Sequence, residues 1–323
     1  MATTTVALTL AEPMAWRRRR DDALLLIAFA ACLLLPVTPA LALAGGAALA
    51  LGLGHGRGAA TLRWTRRLLP ASVVGLGAGM DVRVVARVGL HGLGYTVIGI
   101  VATLTLGRWL GRRLRLPARP ALLVSIGTAI CGGSAIAAVA PVVQADPEAT
   151  SLALATVFLL NGVALFVFPP IGHALGLSQS SFGLWAALAI HDTSSVVGAA
   201  LAFGPTALAT ATAVKLARAL WIAPATAVLG WRSGRRRAKV PPFIVGFLAA
   251  AALGTFVGPL HAAGALVAAG ARRLLVATLF LVGAGLSRAA LRESGVRPLV
   301  HGVLLWMVVG GGTLFAVARG WIH

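Results

Sequence analysis

Acidic side chains are scarce in this 323-residue chain: eight Asp and Glu stand against 28 Lys and Arg. Charge of either sign is thin as well, at 11%, where an ordinary soluble domain carries about 25%. Tyrosine occurs once. Cysteine occurs only at Cys32 and Cys131, each inside an apolar stretch, which excludes a disulfide framework and leaves buried free thiols. Abundance lies elsewhere, with 59% hydrophobic residues and a mean hydropathy of +0.91. Disorder is excluded, because it requires low hydrophobicity. A single water-soluble core is excluded too, since the apolar residues recur in runs near bilayer length. The class that remains is an all-α polytopic membrane protein.

A formal charge of +20 on a soluble protein would suggest nucleic acid. In a membrane protein the position of the basic residues decides first. Apolar runs bounded by Arg, Pro or Gly clusters predict eleven spans, near 23–40, 41–56, 68–82, 89–107, 120–143, 150–169, 182–203, 207–230, 241–258, 272–290 and 298–318. With the amino terminus inside, the cytoplasmic segments hold 21 basic residues, in clusters around Arg17–Arg20, Arg57–Arg67, Arg108–Arg119, Arg232–Lys239 and Arg288–Arg297. The outer ends hold five: Arg83, Arg87, Arg272, Arg273 and Arg319. That asymmetry predicts a cytoplasmic amino terminus and explains the basic balance without nucleic acid. Residues 1–22 read as a basic cytoplasmic tail and 23–323 as the membrane transporter domain. A competing reading takes Arg17–Arg20, the following apolar stretch and the small residues Ala40, Ala42 and Ala44 as a secretory signal. The immediate continuation into another apolar helix favours a retained first span.

A faint internal repeat links VGLGAGMDVRVVARVGLHG (74–92) to VGAGLSRAALRESGVRPLVHG (282–302). Each is a Gly-rich helix end, a polar turn with spaced arginines, and a His-Gly pair. The topology places the two turns on opposite sides, the pattern of an inverted-repeat transporter with discontinuous helices. Chance similarity of Gly-rich helix ends is the competing explanation.

Three places carry polarity that hydrocarbon tolerates poorly. In ICGGSAIAAVAPVV (130–143), Gly132, Gly133 and Ser134 precede Pro141, so a helix break there is expected. The freed backbone groups would need protein or a wet cavity, and the half-helix ends would point at substrate. A kinked small-residue packing face fits the same residues. In HDTSSVVG (191–198), five polar residues lie together near the middle of the predicted span 182–203. An ionised Asp at bilayer centre costs roughly 2.5–3.5 kcal/mol. On a continuous helix His191, Ser194, Ser195 and Gly198 share one face, with Asp192 and Thr193 flanking it. Finally, Lys215 and Arg218 lie at i, i+3 inside the span 207–230, with Thr212 beside them. At about 1.5 Å per residue both are too deep to snorkel easily. If these segments meet, two cations face only Asp192, and the surplus positive charge suits an anion, with Arg as fork and Lys as point charge. A buried structural ion pair with Asp192 is the plainer alternative.

Enzyme chemistry is the weaker reading. Consecutive residues on one helix diverge by about 100°, so His191, Asp192, Ser194 and Ser195 cannot form a Ser–His–Asp relay among themselves. No HExxH, P-loop or GxGxxG-after-strand signature occurs, and neither a cofactor nor a metal is called for.

At these motifs the chain resembles the YeiH-like sulfate exporter family of bacterial inner-membrane proteins. The resemblance rests on ICGGSAIAAVAPVVQAD (130–146), IHDTSSVVGAA (190–200), VKLARALWIAP (214–224) and GLSRAALRESGVRPL (285–299), in that order. It implies an inverted-repeat, crossed broken-helix architecture like that of bile-acid and sodium–proton type transporters. It also marks Cys131–Ser134, His191–Asp192 and the pair Lys215 and Arg218 as the corresponding site. Some relatives carry Glu where this chain has Ala140, so a proton-carrying role for that acid does not transfer.

The reading is therefore a secondary transporter that exports a small anion of the sulfate, sulfite or sulfonate class, driven by an ion gradient. Lys215 and Arg218 compensate charge; Gly132, Gly133, Ser134, Thr193, Ser194 and Ser195 supply hydrogen bonds; His191 or Asp192 couples ions. A cation/proton antiporter using Asp192 is the rival. The partners expected are the anionic substrate, the bilayer with its anionic lipids, and, left open, further copies in a homo-oligomer.

Overall fold

The computed structural model describes residues 20, 22–53, 58–232, 242–257, 260–285 and 296–322, and these are all-helical. Among them lie fourteen helices: α1 (Asp22–Leu34), α2 (Pro39–Leu53), α3 (Gly58–Gly77), α4 (Val82–Arg113), α5 (Ala118–Ala129), α6 (Gly133–Val139), α7 (Pro147–Ala174), α8 (Gln179–Ala189), α9 (Thr193–Phe203), α10 (Pro205–Ala219), α11 (Ile222–Arg232), α12 (Pro242–Phe256), α13 (Leu260–Ala284) and α14 (Val296–Ala318). Four stretches are long and apolar enough to cross a bilayer: Pro147–Ala174, Pro205–Trp231, Ala263–Ala284 and Val296–Ala318. Shorter apolar helices accompany them, and the chain is a multi-pass membrane protein. Nearly all of the basic tail, the Arg235–Lys239 cluster and residues 286–295 of the second repeat copy (282–302) lie outside the described residues.

Eleven predicted spans become fourteen helices because three of them are interrupted. The break expected after Ile130 separates α5 from α6. The other two were expected to be continuous. The span 182–203 divides into α8 and α9 around Ile190–Asp192, so His191 shares no helical face with Ser194 and Ser195. The span 207–230 pauses at Leu220 and Trp221, between α10 and α11. One boundary also moves: α13 begins at Leu260, so Arg272 and Arg273 sit inside it rather than at its end. Both are exposed, and Arg273 donates to the Leu35 carbonyl just past α1.

Local chemistry explains most starts and stops. Proline opens α2, α7, α10 and α12, where its missing N–H has no helical partner to lose. Asp146 caps α7, its Oδ1 accepting from the Ala149 N–H at 2.6 Å, and Ser178 caps α8 through the Ser181 N–H at 3.1 Å. Helix α4, at 32 residues, is about 48 Å long and overshoots a hydrocarbon core of about 30 Å. Its ends carry the surplus: Arg83 at one, Arg108, Arg112 and Arg113 at the other. Within the helices, hydroxyls turn inward on their own backbone. Ser125, Thr128, Thr156, Thr212 and Thr278 each donate to the carbonyl four residues earlier, which satisfies them without water.

Two groups of helices pack side by side. Helix α13 lies against α2 and α3, with α12 on α3. The α2–α13 contact is backbone on backbone: at Gly46 and Gly283 a methyl group would collide with the facing carbonyls of Phe280 and Leu43. Small residues at a membrane helix interface permit that approach. The second group places α10 against α8, α9 and α4, with α5, α7 and α14 around them. Trp185 of α8 stacks on Phe168 of α7 at 4.2 Å and donates its Nε1–H to the Gly310 carbonyl of α14 at 2.9 Å. Helices α2, α7, α9 and α13 join the two groups.

Candidate functional site

The two breaks meet. Gly132 has φ +65°, a backbone conformation that disfavours any side chain, and an added Cβ would stand 3.2 Å from the Asp192 backbone nitrogen and Cα. Each half-helix that ends here leaves carbonyls without an amide partner. At α5 the Ile126 carbonyl accepts from the Ile130 N–H and the Gly127 carbonyl from the Gly132 N–H. The last two carbonyls go to Arg218, whose Nε–H donates to Ala129 at 2.7 Å and whose Nη2 reaches Thr128 at 3.5 Å. At α8 the Ala186 carbonyl accepts from the Ile190 N–H, and side chains take those of Ala187, Leu188 and Ile190. Arg218 Nη1 donates to Leu188 at 2.5 Å, while Lys215 Nζ donates to Ile190 at 2.7 Å and Ala187 at 3.3 Å.

Arg218 therefore bridges the carboxyl ends of both broken helices, and Lys215 caps the end of α8. Lys215 is 0% exposed and Arg218 1%, and Arg218 is the central residue of the span Pro205–Trp231. Among the described residues neither forms an ion pair with a carboxylate; every hydrogen bond they make goes to a backbone carbonyl. The plainer expectation of a pair with Asp192 is replaced by helix-end capping. A helix terminus carries roughly half a charge, negative at the carboxyl end, and this is what draws the cations in.

Asp192 is occupied in a different way. It is the N-cap of α9, its carboxylate accepting from the Ser194 N–H at 3.2 Å and from the Ser194 hydroxyl. Ser194, expected as a ligand for substrate, instead has its hydroxyl held by Asp192. Thr193 and Ser195 are buried on the first turn of α9. Ser134 is exposed on α6, whereas Gly132 and Gly133 are buried. Thr212, expected beside the cations, donates back to Leu208 of its own helix at 2.6 Å. Cys131, in the first break, is a buried free thiol, as is Cys32.

One organising residue escaped the sequence reading. Asn161 of α7 is 3% exposed, and its Oδ1 accepts from the His191 and Asp192 amides, each at 3.2 Å. The peptide joining Ile190 to His191 is thus clamped from both sides: Lys215 holds its carbonyl, and Asn161 holds its N–H. The available signal was that Asn161 is the chain's sole asparagine, set in an apolar span. Among the described residues its Nδ2 has no partner, and neither ring nitrogen of His191 has one, although that side chain is 1% exposed. Buried polar atoms are nearly always paired, so these three are open positions in an otherwise satisfied junction. His301 of α14, the histidine of the second repeat's His-Gly pair, pairs its Nε2 with the Gly107 carbonyl at 2.9 Å.

Residues 22–302 match the protein family described as conserved hypothetical protein 698. A UPF0324 membrane protein of Bdellovibrio bacteriovorus is 52% identical over 295 residues, covering 89% of this chain and 91% of its own. A UPF0324 membrane protein of Geobacter sulfurreducens is 50% identical over 262 residues, 81% of this chain and 84% of its own. One of Bacteroides thetaiotaomicron is 45% identical over 283 residues, 86% of each. No solved structure matches the chain.

Proposed function

The chain belongs to this family of membrane proteins, and from that premise we propose that it is a secondary transporter exporting a small anion of the sulfate, sulfite or sulfonate class. The observation that carries the reading is the surplus of buried positive charge where the two broken helices cross. Lys215 and Arg218 face a single neighbouring carboxylate, which is already engaged by Ser194. Two amino and two carboxyl half-helix ends roughly cancel one another, so about one positive charge stands unmatched in low dielectric.

Donor capacity supports the same reading. An ammonium has three N–H groups and a guanidinium five. Lys215 uses two on carbonyls and Arg218 three, so one and two remain. Asn161 Nδ2 and a His191 ring nitrogen add unspent hydrogen-bonding capacity at the same break. An oxyanion with several acceptor oxygens suits such a set, and Thr193 and Ser195 lie on the adjoining turn. The seven-residue α6 is too short to serve as an anion-binding helix terminus, so Gly132 acts by letting the two breaks touch and Gly133 by letting α6 close on Phe158 of α7, while Ser134 stays exposed. This departs from their expected role as direct ligands. His191 is the ion-coupling residue of the proposal, and the ion gradient is the energy source. The protein works in the bacterial inner membrane with its amino terminus in the cytoplasm, its two halves forming an inverted repeat, and it is not an enzyme.

Flux in proteoliposomes decides. Saturable, gradient-stimulated efflux of radiolabelled sulfate or sulfite is expected. Asn161→Asp, which keeps the Oδ acceptor but adds negative charge, is expected to abolish it in protein that elutes as a single folded species. Absence of oxyanion flux, together with sodium-driven proton movement that Asp192→Asn removes, establishes cation exchange at Asp192 instead.

A further inference from the structure

A cavity of about 520 Å³ lies between α4, α5 and α11, and none of Lys215, Arg218, Asn161 and His191 lines it. Its volume falls within the range of small-molecule sites, about 300–1,000 Å³. Leu104, Leu122, Ala225 and Leu229 are among its walls, and apolar side chains make up nearly all of its lining. Two charged groups interrupt that lining, Arg108 and Arg112. Both belong to α4, on the same face as Leu104 and Ile100, at successive steps of four residues. From Arg112 to Ile100 the face runs about 18 Å, close to the depth of one bilayer leaflet of about 15 Å. It is cationic where the helix reaches the membrane surface and apolar for the remaining depth.

The two arginines are exposed, and neither has a hydrogen-bond or ion-pair partner among the described residues. Like charges spaced i, i+4 repel, so the pair is incomplete by itself. The neighbouring Arg113 is accounted for, stacked over the Trp109 ring at 5.4 Å. Val228, which also lines the cavity, is 61% exposed, so the cavity is open beside it.

We propose that this cavity is a binding site for an anionic phospholipid, with one acyl chain between α4, α5 and α11 and its phosphate on Arg108 and Arg112. An inorganic oxyanion would leave the apolar walls unmatched, and a zwitterionic lipid would bring its own cation to the arginines. The site is independent of the transport reading, since it uses no side chain that the transport reading places on the anion.

Native mass spectrometry of the delipidated full-length protein, titrated with phosphatidylglycerol or phosphatidylcholine of identical chains, tests it. Phosphatidylglycerol is expected to bind more tightly. At roughly fivefold per arginine near a membrane surface, the double variant Arg108→Gln/Arg112→Gln weakens phosphatidylglycerol binding about thirtyfold and leaves phosphatidylcholine unchanged. Ala225→Trp, which fills the cavity, weakens both lipids. Inorganic phosphate in excess does not displace phosphatidylglycerol. Equal affinity for the two lipids, indifference to the arginine pair, or displacement by inorganic phosphate overturns the proposal. Both arginines are surface groups, so their variant remains informative if Ala225→Trp fails to fold.

Discussion

Replacing Arg218 by methionine removes the one side chain that, among the described residues, hydrogen-bonds both the end of α5 and the end of α8. Methionine fills a similar length but donates nothing, so the carbonyls of Ala129 and Leu188 lose partners at 2.7 and 2.5 Å. The contact to Thr128, at 3.5 Å, is too long to weigh heavily. A buried carbonyl left unpaired costs about 1–3 kcal/mol, so two cost roughly 2–6 kcal/mol. Removing a buried charge acts in the opposite direction, because its desolvation is worth several kcal/mol. The two terms largely offset, and the expected net loss falls below that range, at about 1 kcal/mol. Arg218→Lys keeps the charge but not the fork, reaches one carbonyl rather than two, and should lose about half as much. Cys131 supplies the assay, since this thiol in the first break is 2% exposed. In a Cys32→Ala background, maleimide labelling of Cys131 should be slow in the parent, faster in Arg218→Lys and fastest in Arg218→Met, with unfolding midpoints in reverse order. If Arg218→Met is as stable and as slowly labelled as the parent, the cation is not what closes the two half-helices, and the bridging account is wrong.

Other substitutions probe the same junction from different sides. Asn161→Leu leaves the His191 and Asp192 amides without an acceptor; at 3.2 Å each these bonds are long, and a loss of roughly 2–4 kcal/mol in denaturant unfolding is expected. Gly132→Ala forces a side chain onto φ +65° against the Asp192 backbone and should lower stability by at least about 2 kcal/mol, visible as a reduced thermal midpoint. Trp185→Phe removes an indole donor from the Gly310 carbonyl, but the Thr313 hydroxyl still reaches that oxygen at 3.2 Å. The loss should therefore stay near 1 kcal/mol, and a much larger drop in midpoint would show that the indole ring's packing outweighs its hydrogen bond.

The crossing was half visible beforehand. Gly132 and Gly133 announce their break through composition, because two glycines in mid-span remove bulk and weaken a helix. The break at Ile190–Asp192 has no such mark. Its residues HDTSS are polar but not helix-breaking, and they read equally well as one face of a continuous helix. What interrupts that helix is external. Asn161 accepts the His191 and Asp192 amides, Lys215 takes the Ile190 carbonyl, and Asp192 starts a new helix by capping it. The roles of Ser194 and Thr212 shifted for a related reason. Each hydroxyl found an acceptor within four residues, and a local bond of that kind forms wherever geometry allows.

Hydropathy, charge placement and helix-breaking residues act along the chain, so they alone established a multi-pass helical membrane protein, its approximate spans, and the depth at which Lys215 and Arg218 are stranded. Which groups relieve those charges was a matter of tertiary structure. Arg218 meets Ala129 across 89 residues of sequence and Lys215 meets Ile190 across 25. No local pattern encodes either encounter. A buried cation takes whatever lone pairs the packing brings within reach, and here the packing brought the open ends of two half-helices rather than a carboxylate.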